Sequence, residues 1–283
     1  MGWARAPGKV ILVGEHFVVH GTPAIALPVF SRGVRVDAVR EPGPWDMPEA
    51  VEAHVRRLLP ILCESAKRLT LTVESDLPIG AGLGGSAALA VALVRALDDH
   101  GTLSAEELRL QAHQLEKLAH GTPSGIDDAV AAYGCPVHYV KGERPVPMTD
   151  VRPPGLWIGL TPQRTSTLEA VAGVSRLADA RPDWFRELLG DATGLVVEAE
   201  GALRKSDWVA LGRVMTRNHA LLQSIEVSTP ALDWLVDSAV AAGAYGAKLT
   251  GGGLGGAAIA LAPEDLDLSE VWRQAGAAEV IAP

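Results

Sequence analysis

The sequence predicts an α+β fold in two domains, and three observations lead there. The chain has 283 residues, 48% of them apolar, enough to build two cores of ordinary size. Stretches with the two-residue period of strands are interleaved with stretches of helical spacing. A proline-rich break, Arg152-Pro153-Pro154-Gly155, divides the chain into residues 1–152 and 153–283.

The elements follow in order. Val10-Ile11-Leu12-Val13, after Pro7-Gly8, and the apolar run 24–29 are short enough for buried strands. Residues 33–39 alternate Val34, Val36 and Ala38 with Arg35 and Asp37, which is strand period. Three prolines and a glycine make 41–48 a loop. Residues 49–67 carry Val51, Val55, Leu58, Leu59 and Leu62 at helical spacing, with Pro60 expected to kink or split the helix. Leu69, Leu71 and Val73 predict another strand. Residues 87–97 are apolar nearly all round, as in a helix buried on most faces. Ser104 with Glu107 is a capping-box pattern opening a helix that runs to about His120. Beyond the break, a strand at 156–160, helices at 184–203, 208–225 and 230–242, and a strand and loop around KLTGGGLGGAAIAL complete the pattern.

Composition excludes several functions. A formal net charge of −9, with no basic cluster longer than Arg56-Arg57, offers no footprint for nucleic acid or acidic lipid. Cys63 and Cys135 are the only cysteines and form no CxxC, so a disulfide framework and a zinc site of usual spacing are both excluded; a reducing cytoplasm fits. The longest apolar run, 87–94, is far short of the roughly 20 residues that span a bilayer, and the first residues lack an apolar signal segment. A protein without membrane or nucleic-acid partners is expected.

Three stretches carry chemistry. In GAGLGGSAA, residues 80–88, glycines let a backbone approach a ligand, and a helix starting near Ser86 would aim N–H groups and a positive dipole end at an anion. That is a phosphate cradle; the plainer reading is a turn with Ser86 as helix cap. Both GAGLGG and GGGLGG satisfy GxGxxG, yet neither opens a helix directly from a strand, which argues against a dinucleotide fold. In HGTPSGIDDAV, residues 120–130, Asp127 and Asp128 start a helix, either as dipole partners or with one carboxylate accepting the proton of a hydroxyl. In APGKVILVGEHFVVHG, residues 6–21, Lys9 enters an apolar strand, an expensive place for an ammonium unless an anion meets it or its head reaches solvent. A metal site from Glu15, His16 and His20 lacks HExxH spacing.

Together with KLTGGGLGGAAIAL, these stretches resemble the GHMP family of small-molecule kinases, in the right order and over nearly the whole chain. GEHFVVHG and HGTPSGIDDAV are similar to its members that phosphorylate mevalonate, and the absence of an Asp-Tyr pair after Gly14-Glu15-His16 argues against a sugar. The resemblance implies a two-domain fold with the active site in the inter-domain cleft, a nucleotide-binding first domain (1–152) and a GHMP-type second domain (153–283). It implies ATP and Mg²⁺ as cofactors, mevalonate as the small-molecule partner, and a monomer or homodimer. Asp127 is then the catalytic carboxylate and Lys9 its cationic neighbour. Ser86 and Glu116 hold magnesium; Glu15, His16 and Thr167 contact the substrate. Gly80, Gly82, Leu83, Gly84, Gly85 and Ser86 lie against the phosphates, and Gly251, Gly252 and Gly253 close the site. Gly85 stands where many members have a second serine, and Leu254 and Ala257 depart from the third motif. A phosphomevalonate kinase, another GHMP kinase, or a non-enzymatic ligand-binding relative are the alternatives.

Overall fold

A computed structural model describes residues 2–62, 68–78, 80–98, 100–121, 123–163 and 167–283. Cys63 and Thr122 lie outside them. The first half of the chain forms β1 (Gly2–Val13), a 3-10 helix (Phe17–His20), β2 (Pro23–Val39), β3 (Trp45–Asp46), α1 (Glu49–Leu62), β4 (Thr70–Ser75), α2 (Gly85–Leu97), α3 (Ala105–His120) and α4 (Ile126–Tyr133). The second half adds β5 (Val137–Val140), β6 (Val146–Pro147), β7 (Trp157–Leu160), α5 (Thr167–Ala180), α6 (Pro182–Lys205), α7 (Trp208–Ser224), α8 (Pro230–Ala241), β8 (Gly246–Thr250), β9 (Ala257–Leu261), α9 (Ser269–Gln274) and β10 (Glu279–Ile281).

The chain forms two compact units that are interleaved in sequence. One comprises Met1–Lys9, Pro28–Ile79 and Leu83–Gly134; the other comprises Val10–Leu27, Gly80–Gly82 and Cys135–Pro283. The expected division at 152/153 does not coincide with these units, because the chain passes from one to the other within β1 and again within β2.

In the first unit, β2 pairs antiparallel with β4, Val36 opposite Val73, and β3 joins β4 in parallel. The two strands expected at 24–29 and 33–39 are one continuous β2. Gly33 does not turn the chain; a methyl group there would come within 2.5 Å of the Ala6 carbonyl oxygen, so the bare backbone admits β1 alongside. Helix α2 is buried through Ala87–Val94 and packs on α3 and α4. Its small alanines allow that close approach. Ser104 and Glu107 form the expected capping box at the start of α3. Pro60 sits inside α1 and does not split it among the described residues.

In the second unit, a four-stranded antiparallel sheet runs β10-β7-β9-β8. Helices α7 and α8 pack on β8, and α6 packs on α7. The core gathers Phe17, Trp157, Phe185, Leu222, Leu232, Leu249 and Trp272. Gly212 and Gly246 bring α7 onto the edge strand β8: a methyl at Gly246 would stand 1.8 Å from the Gly212 carbonyl oxygen. Among the described residues no helix is long and apolar enough to cross a membrane.

Candidate active site

In the first unit, Lys9 stands in β1 just before the apolar run Val10–Val13 and its side chain is 7% exposed, yet its ammonium is met: Nζ lies 3.2 Å from Asp127 Oδ1. Asp127 stands in the first turn of α4, where the helix dipole favours a carboxylate, and keeps 37% of its side chain exposed. Lys9 is held along its length. Its backbone N–H donates to the Leu83 carbonyl at 2.9 Å, and a methyl at Gly84 would land 2.9 Å from its Cγ. Gly84 is left-handed at φ 75°, so that position excludes a side chain twice over.

Gly84 is also the N-cap of α2, with no side-chain cap. Ser86 is therefore not the capping residue. Its hydroxyl instead donates to Glu116 Oε1 at 2.6 Å, with His54 Nε2 3.5 Å away. Glu116 is buried on α3, against the expectation for an ordinary helix acid. A methyl at Gly85 would meet nothing within 4 Å, so the mouth of α2, whose first N–H groups lack helical partners, is open. A hydroxyl beside a carboxylate is an all-oxygen donor set of the kind magnesium accepts, its other positions going to phosphate and water.

Asp128 faces the other way. It is buried, and its Oδ2 lies 3.1 Å from His113 Nδ1 in an alignment too poor for a hydrogen bond. Burial pushes its carboxyl above the usual range, while His113 and Arg109 pull it back. Of the two adjacent acids, only Asp127 is open to a ligand.

The second unit holds the remaining predicted residues. Glu15 is 1% exposed and paired with Lys248 Nζ; Asn218 Nδ2 donates to its other oxygen at 3.2 Å. Burial raises the Glu15 carboxyl and lowers the Lys248 ammonium, each offset by the partner's charge. His16 has a positive φ, 61°, with ψ −48°, rare for a side-chain-bearing residue, in a tight turn that the Phe17 N–H closes onto the Glu15 carbonyl at 2.7 Å. Its Nε2 meets the Gly252 carbonyl at 3.0 Å, which only a protonated Nε2 can do, leaving Nδ1 as a buried acceptor without a protein partner. Desolvation lowers this imidazole to about 4. The two glycine stretches meet here: methyl groups at Gly251 and Gly256 would come to 3.9 Å of the Gly82 and Ala81 carbonyl oxygens. Gly253, at φ 70°, admits no side chain, since a methyl would stand 2.2 Å from the Val227 carbonyl oxygen. Gly80 is left-handed and exposed. Thr167 opens α5, but its side chain is outside the described structure. Among the described residues no group of three His, Cys, Asp or Glu side chains could hold a metal.

Sequence reasoning passed over Lys248, Asn218 and His54. Lys248 carried the same signal as Lys9, a lysine inside an apolar strand; Asn218 and His54 carried none.

The GHMP kinases N terminal domain matches residues 49–135 and the GHMP kinases C terminal domain matches 199–281. A mevalonate kinase of Thermococcus gammatolerans is 36% identical over 92% of this chain and 89% of its own, and one of Pyrococcus furiosus 34% identical over 98% and 94%. The crystal structure of L. major mevalonate kinase in complex with R-mevalonate superposes with a TM-score of 0.86 at 29% identity, covering 100% of this chain and 95% of that one. The chain belongs to the GHMP kinase family, and it has that family's two-domain α/β fold.

Proposed function

We propose that this protein transfers the γ-phosphoryl group of ATP to the primary hydroxyl of mevalonate, giving 5-phosphomevalonate and ADP. It is an ATP-dependent kinase of the GHMP family and acts as a mevalonate kinase, in the route to isoprenoid precursors. The observation that carries the acceptor's identity is near-full-length similarity to proteins named mevalonate kinase, at 34–37% identity. The Lys9–Asp127 pair carries the chemistry.

A primary alcohol is a weak nucleophile at neutral pH. Asp127, open on one side, orients the hydroxyl and takes its proton as the new O–P bond forms and the bond to the β-phosphate oxygen breaks. The Lys9 ammonium offsets charge that develops on the transferring group. The start of α2, with Gly84 and Gly85 bare, receives phosphate oxygens on its N–H groups; Gly80, Gly82 and Gly251–Gly253 supply further bare backbone. Ser86 and Glu116 are the residues that would hold Mg²⁺, which when bound neutralises phosphate charge. His16, whose Nδ1 is a buried acceptor without a protein partner, contacts the acceptor alcohol next to Glu15, and Thr167, at the start of α5, is a second contact. The reaction takes place in the cytoplasm, where Cys135 stays a thiol.

The test is ADP release with Mg²⁺-ATP against mevalonate, phosphomevalonate, homoserine and galactose, each beside an ATP-only blank. Turnover confined to mevalonate is expected. Turnover with phosphomevalonate alone would overturn the acceptor, and silence across the panel would overturn the activity.

A further inference from the structure

The turn that carries His16 is held by an arrangement the catalytic pair does not use. Lys248 lies on β8, the edge strand of the second unit's sheet, and is wholly buried. Its ammonium donates to Glu15 Oε1, to the Leu249 carbonyl, and at 3.5 Å to the Ile11 carbonyl. Asn218, on α7, occupies Glu15 Oε2. Thr250, two residues along β8, bonds the same segment: its hydroxyl donates to the Ile11 carbonyl at 2.9 Å and accepts from the Ile11 N–H at 3.0 Å. The next residue of α7, His219, receives the Leu249 N–H at 3.3 Å. Lys248, Thr250 and the Leu249 N–H thus tie β8 to Glu15, to the Ile11 segment of β1 and to α7.

Both Glu15 oxygens face protein donors, and 1% of the residue is exposed. A carboxylate so enclosed is badly placed to receive a ligand. It is well placed to hold the backbone, and one residue on, His16 keeps a positive-φ turn conformation that an L-residue leaves unless its surroundings hold it.

We propose that Lys248, Glu15 and Asn218 form a clamp that positions His16 for the acceptor alcohol, so that Glu15 and Lys248 act on the substrate through His16 and do not touch it. This rests on the reading of the site as one that takes an alcohol acceptor beside His16. Glu15 is thereby a positioning residue, and Lys248 and Asn218 join it.

The test is a double-mutant cycle read in acceptor and ATP KM separately, using Glu15→Ala, Lys248→Met and their combination. Each single change is expected to raise the KM for mevalonate at least about tenfold, the scale of a misplaced binding group, with the KM for ATP nearly unchanged. The double variant is expected to be no worse than the poorer single one, because both remove the same clamp. Glu15→Gln, which still accepts from Lys248, is expected to recover most of the lost affinity. Additive effects on the mevalonate KM would overturn the proposal by giving Glu15 a contact of its own. A Lys248→Met protein with lowered thermal stability and an unaltered mevalonate KM would overturn it too, leaving the cluster purely structural. If Lys248→Met does not fold, Asn218→Ala releases one Glu15 oxygen and is read the same way. Histidine-selective nitrogen NMR of the ligand-free protein gives an answer independent of the substrate. The His16 ring, faced by Lys248 and His20, is expected to lose its fixed Nε2-protonated signature in the Glu15→Ala protein. Retention of that signature would overturn the clamp, whereas a wild-type enzyme inert towards mevalonate would overturn only the acceptor.

Discussion

Two lysine–carboxylate pairs in this molecule have the same residue types and different surroundings. Lys9 and Asp127 are 3.2 Å apart, with the lysine enclosed and 37% of the aspartate side chain open. Lys248 and Glu15 are enclosed on both sides, at 0% and 1%. An acid that must receive a proton from a ligand needs an open face. One that holds a backbone turn works best with none, since a dry surrounding strengthens its attraction and forbids alternatives. Residue type therefore does not separate the pair proposed for catalysis from the pair proposed for positioning; the exposure of the acid is what differs between them.

Breaking each pair should give opposite profiles. Lys248→Met leaves a buried carboxylate without its cation, and unfolding in urea should show a loss of about 3–5 kcal/mol, the scale for removing one partner of a buried pair. If the loss is under about 1 kcal/mol, the two pairs are not as different as their burial says. Asp127→Asn should lower turnover at least about 100-fold, the contribution of a positioned base. Because asparagine keeps an oxygen towards Lys9, its urea midpoint should move much less than that of Lys248→Met; near-normal turnover in the folded variant would remove Asp127 from the reaction.

A smaller effect tests the enclosed side alone. His16 is lowered from 6.5 to about 4 by desolvation, so the folded protein binds fewer protons than the unfolded chain between those values. Stability then rises with pH through that window and is lost as pH falls from 6.5 towards 4. Between pH 7 and 5 the share of His16 is about 2 kcal/mol. Urea unfolding of the wild type and of His16→Gln at both pH values should differ in pH dependence by that amount, and parallel pH dependences would refute it.

Much of this was legible in the sequence, for reasons particular to each residue. The capping box at Ser104 and Glu107 and the apolar periodicity of 87–97 are local, so they could be read without the fold. Helix α9 and the short strands β5, β6 and β10 were not read, since strands of two to four residues and a six-residue helix carry too little periodic signal; the 14-residue α5 was not read either. The continuity of β2 was hidden by Ser31 and Arg32, which interrupt the apolar pattern between 24–29 and the alternation that starts at Gly33. Of the adjacent acids 127 and 128, spacing could not say which is open. The structure turns Asp127 to solvent and Asp128 into the protein.

By itself, the sequence determined the kinds of groups and their order: bare backbone before a helix, a lysine in an apolar strand, acids at a helix start. These are consequences of local chemistry, and local chemistry is written residue by residue. Tertiary structure alone decided that Lys9 meets Asp127, that Ser86 reaches Glu116 across 30 residues and that Lys248 encloses Glu15 across 233. Burial and pairing belong to groups brought together from distant parts of the chain, and no window of sequence contains both partners.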